Sequence, residues 1–501
     1  MQKLFPDLEV VDIKRWHVSN FSADNANPQQ ARITLEKRYW PITEITDRFN
    51  RQSVSYQLNK KDCLHRWLKY KEGFSAELVR ILLKDFNLQK DDLIADPFMG
   101  SGTTALVSML NGYNSMGFDI LPMSKISIHA KTAIYEYDID ELKNVLEDIE
   151  KINIPQNYND QTPELSITKD GYPKETSREL AYYKEYFLNS GYSETAKTLL
   201  ELCTLNTLER ISYSAKDGQY LRWDWRCPKI IAAAKAREKS GRKPFVVKLD
   251  KGRLPSLKEA LIEELNSVIE DINYLQKNNI ERFTTQCNFI EGSALFELPK
   301  VDDNTVDAVI SSPPYCNRYD YTRTYAMELA YLGISETEIR KLRQDLLSCT
   351  VENKPKIEQL REYYLKIGKQ KRFEKILSVI RSNAVLQEIN AALHNRSVNG
   401  EINNKGVLKM VDGYFTELTF LFAELYRVCK SGAYVAFVND NVRYAGEIIP
   451  VDYLTTDLAE QIGFTPIKIY TLKQQKGNSS QQMKKYGRIP LRKSITIWKK
   501  Q

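Results

Sequence analysis

Short apolar runs alternate with amphipathic stretches along much of the chain, which predicts strands and helices that follow one another. Residues 92–120, DLIADPFMGSGTTALVSMLNGYNSMGFDI, predict a strand, a glycine loop, a helix that starts at Thr103, a glycine stop and a second strand. Residues 466–472 and 493–499 predict a final pair of strands. The alternation predicts an α/β fold with a mostly parallel sheet and an antiparallel terminal pair.

Two helices are predicted from apolar side chains at helical spacing. One occupies SAELVRILLKDF, residues 75–86, where Ser75 can cap the first turn. The other has an apolar face that runs from Phe415 to Cys429. Residues 430–432, KSG, are predicted to end this helix before a strand AYVAFVN. Long polar stretches with many charged residues separate these apolar regions, and they predict large helical inserts.

Composition narrows the class of protein. Apolar residues make up 42% and charged residues 27% of the chain, as in ordinary globular proteins. Neither a secretory signal nor an apolar run long enough for a bilayer is found, so we expect a cytoplasmic protein without a membrane partner. Seven cysteines without a CxxC pair and only four histidines argue against a metal site. The net charge of +7 is a mild indication of a polyanionic partner.

The glycine loop after the first strand predicts a nucleoside site. Gly100 and Gly102 let bare backbone approach a ligand, and Asp119, at the tip of the next strand, can bind both hydroxyls of a ribose. No lysine follows the glycines to neutralise phosphate. A nucleoside without phosphate, such as S-adenosylmethionine, therefore fits best. The alternative is a simple glycine turn beside a solvated aspartate.

A second loop, SSPPY at residues 311–315, follows an apolar strand. Two prolines offer no backbone N–H to a sheet, so the strand must end at Ser311 or Ser312. The result is a stiff loop without donors at the carboxyl edge, where open α/β sheets bind ligands. The alternative is a proline stop with buried tyrosines.

Together these loops resemble two motifs of the amino-methyltransferases, which methylate DNA bases at cytosine N4 or adenine N6. DPFMGSGTT resembles motif I and SSPPY resembles motif IV, while GFDI at 117–120 is similar to motif II. GSA at 292–294 takes the place of motif III, with Ser293 where an acid is common. KEGFSAELVRIL at 71–82 resembles motif X, which implies that Phe74 lies near the methionine end of the cofactor. The resemblance covers residues 60–135, 287–333 and 411–500.

The resemblance implies a class I methyltransferase fold, Rossmann-like with large helical inserts, that binds S-adenosylmethionine. It implies these cofactor-binding residues: Phe74, Asp96, Pro97, Phe98, Gly100, Ser101, Gly102, Thr103, Thr104, Asp119, Ile120 and Ser293. It implies these catalytic residues: Ser312, Pro313, Pro314 and Tyr315. The implied organisation begins with an N-terminal extension (1–60), a cofactor-binding half of the catalytic domain (61–135) and an insert that is a candidate for target recognition (136–286). It continues with the part of the catalytic domain that carries the SPPY loop (287–334), a helical insert (335–410) and the C-terminal part of the catalytic domain (411–501).

The SPPY loop suits methyl transfer to an amino nitrogen. The lone pair of that nitrogen is delocalised into the ring, so the amine must pyramidalise and lose a proton. The Ser312 hydroxyl and the Pro313 carbonyl can each accept an N–H bond, and Tyr315 can stack on a base flipped out of the duplex. Direct transfer needs no covalent intermediate, so we expect Cys316 to be incidental.

Either insert could recognise double-stranded DNA. Residues 229–253 are strongly basic, with Glu238 and Asp250 as the only acids, and they follow the aromatic cluster YLRWDWR at 220–226. The second insert contains the basic stretch KIGKQKRFEK at 366–375. The sequence does not choose between them, and each charge run could instead be a solvated face.

Serine before PPY resembles the cytosine-N4 group, so we expect a site-specific DNA methyltransferase of the prokaryotic restriction–modification type. Adenine-N6 methylation, RNA base methylation and a catalytically silent nucleic-acid-binding module are the alternatives. The resemblance allows a cognate restriction endonuclease encoded nearby as a partner, but it does not show whether one exists. It also does not give the recognition sequence or the oligomeric state.

Overall fold

The computed structural model describes residues 21–217, 220–243, 247–278, 285–473, 485–487 and 489–501. Within them, the strands are β1 Thr43–Thr46, β2 Leu93–Asp96, β3 Asn114–Asp119, β4 Ser214–Asp217, β5 Tyr220–Trp223, β6 Cys287–Glu291, β7 Val306–Ser311, β8 Cys429–Asp440, β9 Val442–Tyr444, β10 Glu447–Ile449, β11 Thr465–Leu472 and β12 Lys493–Lys499. Eight of them form one sheet in the order β1-β11-β12-β8-β7-β2-β3-β6.

The helices of the first half are α1 Gln30–Tyr39, α2 Ala76–Phe86, α3 Thr103–Leu110, α4 Pro122–Thr132, α5 Ile139–Lys151, α6 Lys174–Asn189, α7 Glu194–Ile211, α8 Pro228–Lys239 and α9 Leu257–Lys277. Those of the second half are α10 Ala294–Glu297, α11 Tyr321–Thr324, α12 Ala326–Tyr331, α13 Glu336–Asp345, α14 Ile357–Lys366, α15 Gln370–Ser382, α16 Ala384–Val398, α17 Gly406–Val428 and α18 Val451–Ile462. No helix in the described ranges is long and apolar enough to cross a membrane.

The large sheet confirms the predicted topology. Strands β8, β7, β2, β3 and β6 pair in parallel, and β12 lies antiparallel between β8 and β11. The predicted terminal pair is therefore β11 with β12. Strand β7 ends at Ser311, as the two following prolines require. Helix α2 starts behind Ser75, whose side chain accepts from the Leu78 N–H.

Both faces of the sheet are buried, because neighbouring residues on each central strand are apolar. Ile94 points into a core with α2 and α3, whereas Ala95 points into the opposite core with α17 and α18. On β7, Ala308 points into the same core as Ile94, and Val309 points into the same core as Ala95. Period-two alternation with no polar face is the pattern of a sheet that is covered on both sides.

The first insert is a helical body whose core is shared with α3 and α4 of the cofactor-binding half. Helices α5, α6, α7 and α9 bury apolar side chains against one another and against α12, which follows the SPPY loop. The second insert packs differently, because α14, α15 and α16 bury their apolar faces against α17 in the core beside the sheet. One small hairpin, β4 with β5, interrupts the first insert.

The prediction that residues 430–432 close a helix is wrong. Helix α17 ends at Val428, and Cys429 already pairs with Val306 of β7. The Gly432 N–H donates to the Lys500 carbonyl at 2.8 Å, and its φ of +89° places it in an irregular part of β8, where the pairing with β7 shifts register between Val306 and Ala308. A lysine, serine and glycine after an apolar face are typical of a helix end, but pairing with neighbouring strands outweighs that local preference.

Candidate active site

Three strand ends meet at one edge of the sheet. β2 lies between β3 and β7 and pairs with both in parallel, so their carboxyl ends reach the same edge. Asp96, Asp119 and Ser311 are the last residues of these strands. The Ser311 hydroxyl donates to Asp96 Oδ1 at 2.6 Å, which ties the first residue of SSPPY to the start of the glycine loop.

The glycine loop is held by the acid that follows it. The Gly100 N–H donates to Asp119 Oδ2 at 2.8 Å, and the Leu121 N–H donates to Asp119 Oδ1 at 2.8 Å. Gly100 has a φ of +53° and Gly102 a φ of +85°, which glycine adopts without strain. A Cβ at Gly102 would also lie 2.8 Å from Cγ1 of Ile128. The backbone conformation of the loop therefore explains the glycines at both positions, and the close contact with Ile128 is a second reason at position 102.

A cleft with about 720 Å³ of empty space, part of it open to solvent, lies over this edge. Most of the residues predicted for the site line it: Phe74, Asp96, Pro97, Phe98, Gly100, Ser101, Thr103, Asp119, Ile120, Ser293, Ser312 and Pro314. Motif segments that lie more than 200 residues apart in the sequence thus share one cleft.

Four predicted site residues lie outside the cleft lining, and these are Gly102, Thr104, Pro313 and Tyr315. Gly102 precedes α3, and the Thr104 hydroxyl donates to the Ile310 carbonyl at 3.1 Å, so both hold the loop in place. Pro313 is buried, and the Tyr315 hydroxyl lies 3.2 Å from the Ser312 hydroxyl. Lys493 lies over the Tyr315 ring at 5.2 Å.

The charge of the cleft favours a cationic ligand. Four carboxylates line it, from Glu72, Asp96, Asp119 and Asp345, and no lysine or arginine is among its lining residues. A phosphate group would be repelled here, whereas a sulfonium or ammonium group would be attracted. The apolar walls include Phe98, Phe118, Leu346 and Leu347, which suit an adenine ring. The residues therefore fit S-adenosylmethionine, a nucleoside that carries a sulfonium and no phosphate.

Two of these carboxylates titrate near neutrality. Removal from water raises the pKa of Asp119 to about 6, although backbone N–H groups of Leu121 and Gly100 stabilise the charged form. Burial also raises the pKa of Asp96 to about 6, against the hydrogen bond from Ser311. Both groups are ionised at neutral pH and become protonated as the pH falls through about 6.

We predict that cofactor affinity falls as the pH is lowered. A protonated carboxyl attracts a cation less and accepts fewer hydrogen bonds, so S-adenosylmethionine should bind roughly tenfold more weakly at about pH 5 than at about pH 7. Titration calorimetry across this range measures the effect, with circular dichroism as the control for folding. An affinity that stays constant down to about pH 5 would contradict a role for the charges of Asp96 and Asp119 in cofactor binding.

Glu72, a carboxylate close to the predicted Phe74, was not among the residues predicted from the sequence. Glu72 accepts hydrogen bonds from the hydroxyls of Tyr319 and Tyr325, which follow the SPPY loop. The Tyr325 ring stacks on Tyr70, with ring centroids 5.1 Å apart. These contacts fix the segment after SPPY against the segment before α2. The sequence shows a run of tyrosines after SPPY, but it does not show that two of them share Glu72, about 250 residues away, as their partner.

The second insert supplies a wall of the cleft, which the sequence analysis also missed. Asp345, the last residue of α13, and the following Leu346 and Leu347 line the cleft. The next residue, Ser348, donates its N–H to Glu417 Oε2 at 2.9 Å, and Lys356 forms a buried ion pair with Glu417 at 2.9 Å. The wall is therefore anchored on α17, and no local motif signals it.

Cys316, which we expect to be incidental, directly follows the SPPY loop. Its thiol is buried, and burial raises its pKa well above the ordinary value, so a reactive thiolate is disfavoured. Within the described residues, no group of three or more His, Cys, Asp or Glu side chains could hold a metal ion.

The sheet order, the glycine loop at the end of β2 and the acid at the end of β3 define a class I S-adenosylmethionine-dependent methyltransferase fold. A model of the N6/N4 methyltransferase family, described as DNA methylase, matches residues 12–127. The type II methyltransferase M.BsoBI of Geobacillus stearothermophilus is 54% identical over 485 residues, which are 97% of this chain and 95% of that protein. The type II methyltransferase M.AvaI of Nostoc sp. is 37% identical over 473 residues, 93% of this chain and 92% of that protein.

The chain therefore belongs to the type II DNA methyltransferases of the N6/N4 family, the restriction–modification enzymes that the two loops predicted. Enzymes of this family take the methyl group from S-adenosylmethionine and transfer it to DNA. The predictions of fold class, cofactor and DNA substrate are thereby confirmed.

Proposed function

We propose that this enzyme methylates N4 of cytosine within a short recognition sequence of duplex DNA. The observation that carries the proposal is the place of Ser312. Its side chain lies in the same cleft as Asp96 and Asp119, and that cleft has no cationic side chain in its lining. A neutral acceptor therefore faces the space that suits the cofactor sulfonium.

Ser312 is the residue that we assign to the amino nitrogen. Its hydroxyl donates to the Tyr315 hydroxyl at 3.2 Å, so its own proton is directed away and its lone pairs are left to accept. An N–H of the target amine can donate to one of them, and a second N–H can donate to the Pro313 carbonyl. Both bonds draw hydrogen out of the plane of the base and favour the pyramidal nitrogen that attacks.

Three of the remaining predicted residues are assigned to particular parts of the cofactor. The bound cofactor supplies a methyl group on a positively charged sulfur. We propose that Asp119 accepts from the ribose hydroxyls, that Phe74 packs near the methionine end and that Asp96 attracts its ammonium group. Holding donor and acceptor in line can contribute about 7–11 kcal/mol towards the barrier.

The choice of cytosine over adenine rests on the residue type at position 312. Serine before PPY resembles the cytosine-N4 group, whereas the adenine-N6 group usually has Asp or Asn there. A hydroxyl is a weaker acceptor than a carboxylate.

The target base has to leave the duplex to reach a cleft at the sheet edge. We propose that Tyr315 stacks on the flipped base, because its half-buried ring lies beside Ser312, with its hydroxyl 3.2 Å from the Ser312 hydroxyl. The reaction would protect host DNA in a prokaryotic cytoplasm, and a cognate restriction endonuclease encoded nearby would be its functional partner.

Analysis of DNA from an expressing host tests the proposal. The DNA is digested to nucleosides and compared with DNA from the same host carrying Ser312→Ala. We expect N4-methylcytosine in the first sample only, at a recurring short sequence when the DNA is sequenced as single molecules. N6-methyladenine in its place would refute the cytosine assignment and leave the fold and cofactor intact. Label in RNA alone would favour RNA base methylation, and no methyl transfer at all would favour a silent binding module.

A further inference from the structure

Helix α8, Pro228–Lys239, is unlike the other long helices of the first insert. It buries none of its 12 residues, whereas α7 and α9 each bury eight or more. A helix of this length is marginal in water when nothing packs against it. Its exposed face thus has no apolar partner within the described residues.

The charge of this helix and its following turn is strongly positive. Residues 228–243 contain six basic side chains and a single acid, Glu238. Four of the basic side chains are exposed and form no ion pair with any described residue, and these are Lys235, Lys239, Arg242 and Lys243. They occupy the last two turns of α8 and the four residues after it.

Hydrogen bonds join the residues just before α8 to residues 249–251 after it, and together they form the base from which the helix starts. Asp224 accepts from the Arg226 side chain at 2.8 Å and from the Lys251 N–H at 2.7 Å. The Trp225 N–H donates to the Leu249 carbonyl at 3.1 Å, and the Lys229 ammonium lies 3.0 Å from the centroid of the Trp223 ring. The helix therefore projects from a fixed base.

That base is joined to the active site. The hairpin of β4 and β5 precedes it, and Lys216 of β4 forms a buried ion pair with Glu328 of α12, just after the SPPY loop. The carbonyl of Lys216 also accepts from Lys71, beside the cleft residue Glu72. The hairpin that precedes α8 is thus tied to the segments on both sides of the catalytic cleft.

The basic stretch of the second insert has a different setting. Helices α14 and α15 bury Leu360, Tyr364, Phe373 and Ile376 in the core beside the sheet. Their lysines lie on the outer side of a helical layer whose inner side is already packed. Packing against the core therefore explains the helices of the second insert. Helix α8 has no comparable packing within the described residues.

We propose that α8 and its following turn bind the target DNA, with Lys235, Lys239, Arg242 and Lys243 on the phosphates of the duplex flanking the flipped base. Six positive charges against one negative charge complement the phosphate backbone, and alanines at 232–234 and 236 leave a narrow face that a groove can accommodate. This inference rests on the proposed function, because it assumes that duplex DNA is the substrate of the neighbouring cleft.

The test replaces all four basic residues with glutamine, in the variant K235Q/K239Q/R242Q/K243Q. Binding of unmethylated linear plasmid DNA is measured as a function of salt concentration, together with the KM for that DNA. We expect binding about tenfold weaker or more at physiological salt and a salt dependence reduced by up to about 0.9 per lost contact. Affinity for S-adenosylmethionine should stay unchanged.

The matched control removes the same charge from the rival element, in K366Q/K369Q/K371Q/K375Q. All four lysines of the control are exposed. We expect DNA affinity and salt dependence close to those of the unmodified enzyme. Equal effects of the two variants, or a larger effect of the control variant, would overturn the inference.

Nucleosides from the DNA methylated by the unmodified enzyme are analysed in the same experiment. If they show adenine methylation, the cytosine proposal fails while the role of α8 is still measured by binding. Unimpaired binding by the α8 variant, with cytosine methylated as expected, would overturn the inference alone.

Discussion

Replacing Asp119 with alanine should weaken S-adenosylmethionine binding at least about tenfold. The change removes the carboxylate that we assign to the ribose hydroxyls. It also removes the acceptor of the Gly100 and Leu121 N–H groups, so the glycine loop loses its anchor. Titration calorimetry measures the affinity directly, and an unchanged value would refute the ribose role.

Glu291 offers a matched control for this substitution. It lies opposite Asp119 in the register of β3 with β6, but it is exposed and does not line the cleft. Glu291→Ala removes an equivalent strand-end acid and should leave cofactor affinity nearly unchanged. A similar loss in both variants would show that general electrostatics, not the ribose contact, determines the affinity.

Replacing Ser312 with alanine should lower kcat by about 10²-fold or more, with little change in cofactor affinity. The assigned hydrogen bond strengthens as the amino nitrogen becomes pyramidal, so its loss affects the transition state more than the bound state. Single-turnover methyl transfer and calorimetry on the same variant separate the two quantities. A loss of cofactor affinity with unchanged kcat would contradict the assignment.

The neighbouring Ser311 provides the opposite case. Its hydroxyl is buried and donates to Asp96 at 2.6 Å, on the cofactor side of the cleft. Ser311→Ala should therefore weaken cofactor binding more than it lowers kcat. The two adjacent serines would then separate binding from chemistry, and identical kinetic effects would show that they act only as parts of one loop.

Local sequence was sufficient for the parts of the site that are encoded in short stretches. The glycines at 100 and 102 and the prolines at 313 and 314 each restrict their own backbone, and the end of β7 at Ser311 follows from that restriction alone. The mostly parallel sheet was also predictable, because strands and helices alternate along the chain and each of them is encoded in its own short stretch.

Contacts between distant segments were not predictable in this way. Glu72 meets Tyr319 and Tyr325 only because the first insert holds α12 against the start of the core. Leu346 and Leu347 reach the cleft because Glu417 on α17 fixes the residues that follow them. Such contacts depend on how whole helices pack, and no periodicity or motif in either segment encodes the partner.

The start of β8 illustrates the same limit. Residues 430–432 have the composition of a helix end, yet Lys430 pairs with Asp307 at 2.8 Å and Gly432 donates to Lys500. Both partners are remote in sequence. Where local preference and sheet pairing compete, the pairing decides the conformation.

The central claim is that this methyltransferase places its methyl group on N4 of cytosine. The most direct measurement uses the purified enzyme, S-adenosylmethionine labelled in the methyl group and duplex DNA from a host without methylation. After digestion to nucleosides, the label should be found in N4-methylcytosine and should be lost with Ser312→Ala. Label in N6-methyladenine, or in N4-methylcytosine at full rate without the Ser312 hydroxyl, would contradict the account.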